Sequence, residues 1–255
     1  MKGAAVPATR TVPEETTSCL VLSCSPRAGG NSDTAARLFS RAFDRGREAA
    51  PSVGDVPEAG AGAPNRGVRV LFLRDYAVSP CTACDACVQA ARELKARRAA
   101  VSLRTLADTR PFPCPAAARD DSTTLFGALA AAEQLCLVSP VYWYHLPAQF
   151  KALVDRIQVF RSMREYGGLR DDAPKRPCRI ILIGGRPRGK RLFAGSLLSL
   201  KSALATLNSA TVDPLLLYGL DADDALCRDR EAAERIDAYG LAAGARPRME
   251  HYEPA

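Results

Sequence analysis

Residues 135–160, LCLVSPVYWYHLPAQFKALVDRIQVF, decide the fold, because they change from a strand pattern to a helix pattern within one segment. The first seven residues form an almost continuous apolar run, which is typical of a strand buried on both faces. Apolar side chains then recur at helical spacing, at Phe150, Leu153, Val154, Ile157 and Phe160. A buried strand followed by an amphipathic helix is the repeating unit of a parallel α/β sheet.

The same unit recurs along the chain. Strand-length apolar runs lie at 18–25, 68–73, 135–141, 179–185 and 214–218. Helix patterns lie near 31–48, 87–98, 122–133, 150–160, 197–207 and 224–239, and Asn31 and Ser32 are the expected capping residues of the first. We therefore predict an α/β fold, a doubly wound five-stranded parallel sheet of order 2-1-3-4-5, with a Cys-rich insertion after strand 2.

We expect a single domain over residues 18–245, because no internal repeat and no second core are visible. Residues 1–17 are polar and predict a disordered or extended N-terminal arm, and residues 246–255 a C-terminal tail. Within the domain, residues 49–67 are rich in Ala, Gly and Pro and predict a loop. Residues 80–119 form the Cys-rich insertion.

The composition of the 255 residues is that of a globular protein, with 47% hydrophobic and 25% charged residues. No apolar run has the length of a membrane span, and the N-terminus lacks the apolar core of a secretory signal. We therefore expect a cytoplasmic protein without a membrane partner. In a reducing compartment, the nine cysteines are typical of core, metal or redox roles rather than disulfides.

A doubly wound sheet binds ligands where the strand order switches, beyond the carboxyl ends of strands 1 and 3. The loop after strand 1, SPRAGGNSD (25–33), combines hydroxyls, glycines and Arg27 in front of a helix N-terminus, which favours an anion such as phosphate. A capped turn with no ligand is an equally good interpretation of that loop. The loop after strand 3, PVYWYHLP (140–147), holds three consecutive aromatic residues, which suit a planar ligand or ordinary packing. A third loop, 184–190, could close over the ligand or remain solvated.

Three cysteines have a spacing with chemical meaning. Cys81, Cys84 and Cys87 follow the C-x2-C-x2-C pattern, which lets one loop place three thiolates on three irons of a cubic cluster. Zinc sites usually pair two separated knuckles, and a second knuckle is absent from the sequence. A loop that has lost its metal, or a partly filled zinc site, remains the alternative.

Three motifs together resemble one family: SPRAGGNS at 25–32, PCTACDAC at 80–87 and SPVYWYHLPAQFKALVDR at 139–156. They are similar to the flavodoxin-like NADPH-dependent FMN reductase superfamily, and to its iron–sulfur flavoprotein branch in particular. The resemblance implies a flavodoxin-like fold that binds FMN, and it covers residues from about 18 to 240. The cofactor-binding residues that it implies, together with one glycine of the third loop, are Ser25, Arg27, Gly30, Asn31, Ser32, Pro140, Val141, Tyr142, Trp143 and Gly185.

The resemblance also implies a fourth cluster ligand, Cys114, which precedes Asp120 and Asp121 as in the family. Here 26 residues separate Cys87 from Cys114, where the family has only a few. Two further departures are Cys24, where relatives carry Gly, and His145, where many carry Asn or Gly. With only two histidines in the chain, His145 is the candidate for a catalytic, pH-dependent role.

The insertion after the cluster motif is basic. Residues 88–119 contain seven Lys or Arg and two Asp or Glu. Such runs are usually solvated helix faces, but this one could also steer an acidic electron carrier such as a ferredoxin. Nucleic acid is not an expected partner, because no aromatic residues interleave with the basic ones. The family implies a homo-oligomer, a dimer or tetramer.

The function that follows is an FMN-dependent oxidoreductase. It would pass electrons between a donor, either NAD(P)H or a ferredoxin-like carrier, the FMN and a [4Fe–4S] cluster. Two alternatives remain open. One is an NAD(P)H:FMN or quinone reductase without a cluster, and the other is a non-enzymatic flavin protein for electron transfer or sensing.

Overall fold

The structure is a computed structural model that describes residues 17–50, 67–97, 101–170 and 173–245. Nearly all of the predicted N-terminal arm 1–17 and loop 49–67 lies outside these ranges, as does the tail 246–255. No helix within them combines the length and the apolar composition that crossing a membrane requires.

The parallel sheet has the predicted order. Its strands are β1 (Cys19–Ser23), β2 (Val68–Phe72), β3 (Gln134–Pro140), β4 (Arg176–Ile183), β5 (Ser209–Thr211) and β6 (Leu215–Leu217). Going across the sheet, β2, β1, β3, β4 and β5 are neighbours, and all the pairs are parallel. The predicted fifth strand, 214–218, corresponds to β6, whereas β5 precedes that range and is not predicted; β5 and β6 pair with successive parts of β4. Pro214 lies between the two segments and has no N–H for the ladder.

Helices connect the strands. They are α1 (Asn31–Ala49), α2 (Ala86–Ala96), α3 (Leu103–Asp108), α4 (Ser122–Ala131), α5 (Ala148–Arg156), α6 (Gln158–Ser162), α7 (Ala194–Thr206), α8 (Ala225–Arg228) and α9 (Arg230–Gly244). The capping position of α1 is Gly30, not Asn31 or Ser32. The predicted last helix is two helices, because Asp229 leaves the helical conformation and its carboxylate caps α9 by accepting from the Ala232 N–H. The insertion holds α3 besides α2, and the Ser102 side chain caps α3.

Each face of the sheet is covered by a helical layer. Side chains alternate along β1, so Cys19 and Val21 pack in the core that α1 and α9 cover. Leu20 and Leu22 point into the opposite core, which α4, α5 and α7 cover. Burial on both faces explains why the strands are nearly continuous apolar runs.

Candidate functional site

Four loops meet at the carboxyl edge of the sheet, following β1, β3, β4 and β6. Backbone hydrogen bonds extend the ladder into them, from Cys24 N–H to the Val138 carbonyl (2.8 Å) and from Val141 N–H to the Ile183 carbonyl (2.8 Å). The Gly184 N–H likewise donates to a carbonyl of β6 (2.9 Å). The sheet therefore brings the predicted ligand loops 25–33, 140–147 and 184–190 to one edge, as a doubly wound topology requires.

The loop after β1 is tied to its helix by Asp33. Its buried carboxylate accepts hydrogen bonds from Ser23 Oγ (2.7 Å) and from the Gly29 N–H (2.8 Å), and it forms an ion pair with Arg74 (2.9 Å). Burial acts to raise the pKa of Asp33, but the hydrogen bonds from Arg74, Gly29 and Ser23 outweigh it and lower the pKa. The carboxylate therefore stays charged and is neutralised by Arg74 inside the loop.

Asn31 and Ser32 are both buried at the start of α1. The Asn31 amide donates to the carbonyls of Leu220 (3.1 Å) and Ala222 (2.7 Å), and its oxygen accepts from the Leu226 N–H (2.9 Å). The side chain thus anchors the loop after β6 against the loop after β1. Because the Asn31 side chain is bonded within the protein, only its backbone N–H is left to contact a phosphate, the ligand that the sequence predicts for Asn31.

Ser25 is buried and accepts a hydrogen bond from the Arg27 N–H (3.2 Å), whereas the Arg27 side chain is exposed. The Arg27 guanidinium forms an ion pair with Asp223 of the loop after β6. Gly30 lies close to the Asp223 backbone, since a Cβ added at Gly30 would be 3.9 Å from the Asp223 carbonyl oxygen. The cation that the sequence assigns to phosphate is therefore paired with a protein carboxylate.

The aromatic loop after β3 forms a tight hairpin turn. Tyr142 and His145 exchange two backbone hydrogen bonds of 2.9 Å, and Trp143 (φ 52°) and Tyr144 (φ 64°) between them have left-handed backbone conformations. Such turns usually contain Asn and Gly, so bulky aromatic residues here carry backbone strain. The turn presents Trp143 to solvent, with 96% of its surface exposed.

His145 is held against α7. Its Nδ1 accepts a hydrogen bond from the Leu146 N–H (2.9 Å), so the proton of the neutral ring belongs on Nε2, which lies 3.3 Å from Ser199 Oγ. Gly195 lies next to the Tyr144 carbonyl, where an added Cβ would sit at 3.0 Å. These contacts give His145 a positioning role for the aromatic turn.

The third loop closes on its neighbours. Gly185 packs against the side chain of Asp221, which would have to move if this position carried a Cβ. One residue on, Arg186 donates to the Tyr144 hydroxyl (2.7 Å). Loop 184–190 is thereby connected both to the loop after β6 and to the aromatic turn.

The four predicted cluster ligands line one cavity of about 600 Å³: Cys81, Cys84, Cys87 and Cys114. The first two are exposed and the other two are partly buried. The 26-residue separation in sequence is bridged because α2 and α3 fold back and return the chain to the cavity. Among the residues that the structure describes, no three His, Cys, Asp or Glu side chains are grouped to hold a metal ion. The thiols thus surround a cavity rather than converge on one point.

The loop between these cysteines has an unusual backbone. Ala83 (φ 52°) and Asp85 (φ 58°) both have left-handed conformations without being glycine, at a cost in free energy. The Ala83 N–H donates to Cys81 Sγ (3.5 Å), and the Asp85 carbonyl accepts from the first turn of α2. These two reversals turn the chain between successive cysteines, and no glycine in the sequence signals them.

A buried ion pair clamps the base of this loop. Arg156, at the end of α5, contacts Asp120 Oδ2 (2.8 Å), and both side chains are 1% exposed. Arg156 also donates to the Ser79 carbonyl (3.0 Å) and to Ser122 Oγ (2.8 Å), while the Ser79 N–H donates to Asp120 (2.9 Å). Burial acts to raise the pKa of Asp120, but hydrogen bonds from Ser122, Ser79 and Arg156 outweigh it and lower the pKa. Both backbone groups of Ser79, two residues before Cys81, are therefore fixed.

Helix α2, which contains Cys87, packs closely against residues 158–167. Gly167 touches Ala91 of α2, so an added Cβ would lie 2.9 Å from three of its atoms. Cys87 Sγ lies 3.4 Å from Ser162 Oγ of α6. The position of Cys87 is thus set by close packing of α2 on residues 158–167.

The remaining cysteines are different from these four. Cys19, Cys24, Cys136 and Cys178 are buried, and burial raises the pKa of each thiol, that of Cys178 to about 12. Such thiols remain protonated and fill the core. Cys227, by contrast, is exposed on α8 and does not fill the core.

Sequence reasoning missed three residues that organise these sites. Arg74 and Asp223 carry no motif, and each reaches the loop after β1 from a distant segment. Arg156 closes the third motif, but its sequence position gives no sign that it contacts Asp120 and Ser79. Partners so far apart in sequence leave no local pattern to find.

Several solved structures share the fold. An FMN-dependent NADH-azoreductase from Bacillus anthracis str. Ames Ancestor, solved with FMN, is 16% identical at a TM-score of 0.52, covering 89% of this chain and 99% of that one. An NAD(P)H:quinone oxidoreductase from Methanothermobacter marburgensis is 17% identical at a TM-score of 0.50, covering 92% and 97%. RosB, solved with 8-demethyl-8-formylriboflavin-5'-phosphate, is 10% identical at a TM-score of 0.56, covering 90% and 77%. At these identities the likeness shows the fold alone.

At the level of sequence, no curated protein matches the chain. A family model described as the flavodoxin-like fold matches residues 81–239, which is more than half of the 255 residues. That match and the strand order 2-1-3-4-5 agree with each other. The chain belongs to the family of the flavodoxin-like fold.

Proposed function

We propose that this protein is an FMN-dependent oxidoreductase that also carries a [4Fe–4S] cluster and receives its electrons from NAD(P)H or a ferredoxin-like carrier. The observation that carries the proposal is that Cys81, Cys84, Cys87 and Cys114 line one cavity. Four thiolates are the usual ligand set of such a cluster. When bound, FMN would supply two-electron and one-electron transfer, and the cluster one-electron transfer.

The carboxyl edge fits a flavin phosphate. Arg27 supplies an exposed guanidinium, and the first turn of α1, a helix of 19 residues, offers backbone N–H groups behind Gly30. The negative charge of Asp33 does not oppose the phosphate, because Arg74 neutralises it. A bound phosphate would replace Asp223 as the partner of Arg27.

The aromatic turn fits a planar ring at the same edge. Tyr142 and Trp143 are exposed, and the Arg186–Tyr144 hydrogen bond connects the strained turn to the loop after β4. The azoreductase with the same fold is named as FMN-dependent and was solved with FMN. We place the isoalloxazine along Pro140–Trp143, as the family resemblance implies.

The cysteine cavity fits a cluster by its donor set. A cubic cluster takes each thiolate on a different iron, so its ligands surround a volume instead of meeting at one point. Four thiolates give the assembly a net negative charge, which the exposed Arg119 of the lining offsets in part. Arg156 is paired with Asp120, and Asp85 and Asp155 also line the cavity, so the donor set supports the proposal and the charge does not.

One helix joins the two sites. Helix α5 starts directly after the aromatic turn and ends at Arg156 in the cysteine cavity. Nine residues at 1.5 Å each make this helix about 14 Å long. The helix thus fixes the separation between the proposed ring and cluster sites.

The surface beside the cavity fits an acidic redox partner. The basic residues that the structure describes in the insertion are all exposed: Arg92, Lys95, Arg97, Arg104, Arg110 and Arg119. Of these, Arg119 lines the cysteine cavity, and Arg92 and Lys95 lie on α2, the helix that contains Cys87. Complementary charge of this kind raises association rates and is screened by salt. Slower reduction by an acidic ferredoxin at high salt is the expected signature.

A second candidate function is an NAD(P)H-dependent quinone or azo reductase without a cluster. The names of two proteins that share the fold favour it. Rapid anaerobic mixing with NADPH or NADH separates both enzyme hypotheses from a non-enzymatic flavin carrier. We expect fast bleaching of the flavin absorbance. Flavin that stays oxidised after mixing with either nucleotide would contradict the NAD(P)H-dependent reductase and would leave a ferredoxin-like carrier as the donor of the leading proposal.

The cluster itself is tested by Cys84→Ser, with Cys227→Ser as the matched control. Both thiols are exposed, but only Cys84 lines the cavity. After anaerobic reconstitution with iron and sulfide, we expect about four irons per chain in the wild type and in C227S. C84S should lose the cluster and keep its FMN. Equal iron content in the two variants would contradict the ligand assignment.

A further inference from the structure

One of the hydrogen-bond donors of Arg156, its Nε–H, has no acceptor among the described residues. The two terminal nitrogens of Arg156 bond to Asp120, Ser79 and Ser122. The Nε–H itself is buried. A buried donor left unsatisfied costs about 1–3 kcal/mol, so native proteins rarely keep one without a ligand or a function.

The location of Arg156 gives that donor a candidate acceptor. Arg156 lines the cavity that the four cysteines surround. Asp155, which also lines the cavity, already pairs with Lys151. Because no described residue accepts from Nε–H, a group bound in the cavity beside Arg156 is the candidate acceptor.

The remaining contacts of Arg156 explain why it can serve as a fixed donor. The guanidinium is 1% exposed and is locked by an ion pair to Asp120, so it cannot rotate towards solvent. Its positive charge is balanced by that carboxylate. What it offers to the cavity is thus an oriented hydrogen bond more than a net charge, in contrast to the exposed Arg119 on the same cavity.

We propose that Arg156 Nε–H donates a hydrogen bond to a sulfur atom of the [4Fe–4S] site, either a cysteine thiolate or a sulfide. Hydrogen bonds to the sulfurs stabilise the more negative, reduced state and so raise the reduction potential. Arg156 is then a positioning residue, which clamps the cysteine loop through Ser79 and tunes the cluster through Nε. This inference rests on the proposed cluster.

The first test uses Arg156→Lys in the reconstituted full-length protein. Lysine keeps the positive charge beside Asp120 but removes the Nε–H. We expect unchanged iron content and a midpoint potential shifted to more negative values in a spectroelectrochemical titration. R119K is the matched control, with the potential of the wild type. An unshifted potential in R156K with full iron content would overturn the role of Arg156 and leave the cluster in place.

The second test needs no variant and applies even if R156K fails to fold. Wild-type protein labelled with ¹⁵N-arginine is reduced, and pulsed EPR is recorded on the cluster. We expect a ¹⁵N coupling from one hydrogen-bonded nitrogen, which the unlabelled protein lacks. A reduced cluster without this coupling would overturn the hydrogen bond. Wild-type protein that binds no iron would overturn the proposed function and this inference with it.

Discussion

The loop after β1 and the cysteine cavity satisfy their polar groups in opposite ways. In the loop after β1, Arg27, Asn31 and Asp33 all have protein partners. In the cavity, four thiols line open space, and Arg156 keeps an unused donor. An anion at the loop after β1 must therefore compete with Asp223 for Arg27. A ligand in the cavity would instead meet four free thiols and an unused hydrogen-bond donor.

The largest effect is expected from breaking the clamp at the cavity. Asp120→Ala leaves the Arg156 charge buried without its partner, which typically costs about 3–5 kcal/mol of unfolding free energy. It also frees Ser79 at the base of the cysteine loop. We expect a much lower urea midpoint together with loss of bound iron. An exposed control, Asp237→Asn, removes a surface pair with Arg45 and should change the midpoint little.

Acid should weaken both regions, because each contains a carboxyl group with a lowered pKa. Asp33 and Asp120 bind protons less readily in the folded state than in the unfolded chain, where Asp titrates near about 3.9. Their contribution is complete above that value and is lost as the pH falls through the lower folded pKa. Urea unfolding at pH 6 and pH 3 should show the loss.

The variants D33N and D120N assign this loss to one region or the other. Each removes one titrating group, so each should flatten the dependence of unfolding free energy on pH. A dependence identical to that of the wild type in both variants would contradict the role of the two carboxylates.

A smaller effect, on the affinity for FMN, is expected from a substitution in the loop after β1. Arg27→Ala removes a charge-assisted bond to phosphate, which is worth about 1.5–3 kcal/mol, or roughly 10-fold to 150-fold in the FMN dissociation constant. Fluorescence titration of the apoprotein with FMN measures it. The iron content should not change, because Arg27 does not line the cysteine cavity. FMN affinity equal to that of the wild type would show that the phosphate binds elsewhere.

The smallest effect, a change in FMN affinity on removing Asp223, bears most directly on the difference between the two sites. Asp223→Asn removes the competitor of the phosphate at Arg27, and exposed pairs are worth about 0–1 kcal/mol, so FMN should bind up to about fivefold more tightly. Asp224→Asn is the matched control, because Asp224 pairs with Arg228 on α8 and not with Arg27. Weaker binding by D223N would mean that Asp223 supports the phosphate site instead of occupying it.

The parts of this molecule that the sequence predicts are those governed by local periodicity. Apolar runs and helical spacing predict the positions of β1 to β4 and of β6, and the doubly wound topology predicts the order 2-1-3-4-5, which is confirmed. They do not predict β5, a three-residue strand without an apolar run, or the break of the last helix at Asp229, a single residue within a pattern that continues past it. The spacing of Cys81, Cys84 and Cys87 was visible because one loop carries all three.

The rest of both sites depends on contacts between distant segments. Cys114 reaches the cavity only because the insertion folds back, and Asp223 meets Arg27 across nearly the whole chain. The left-handed Ala83 and Asp85 have no glycine to announce them. Tertiary packing decides such features, and a single sequence does not encode them in any short pattern.

The central claim is that the cavity holds an iron–sulfur cluster beside a flavin site. Quantification of iron, sulfide and flavin in anaerobically purified wild-type protein, with its visible spectrum, tests it most directly. We predict one FMN and about four irons per chain, with a broad absorbance beneath the flavin bands. Flavin bands without iron would contradict the claim and leave the reductase without a cluster as the function.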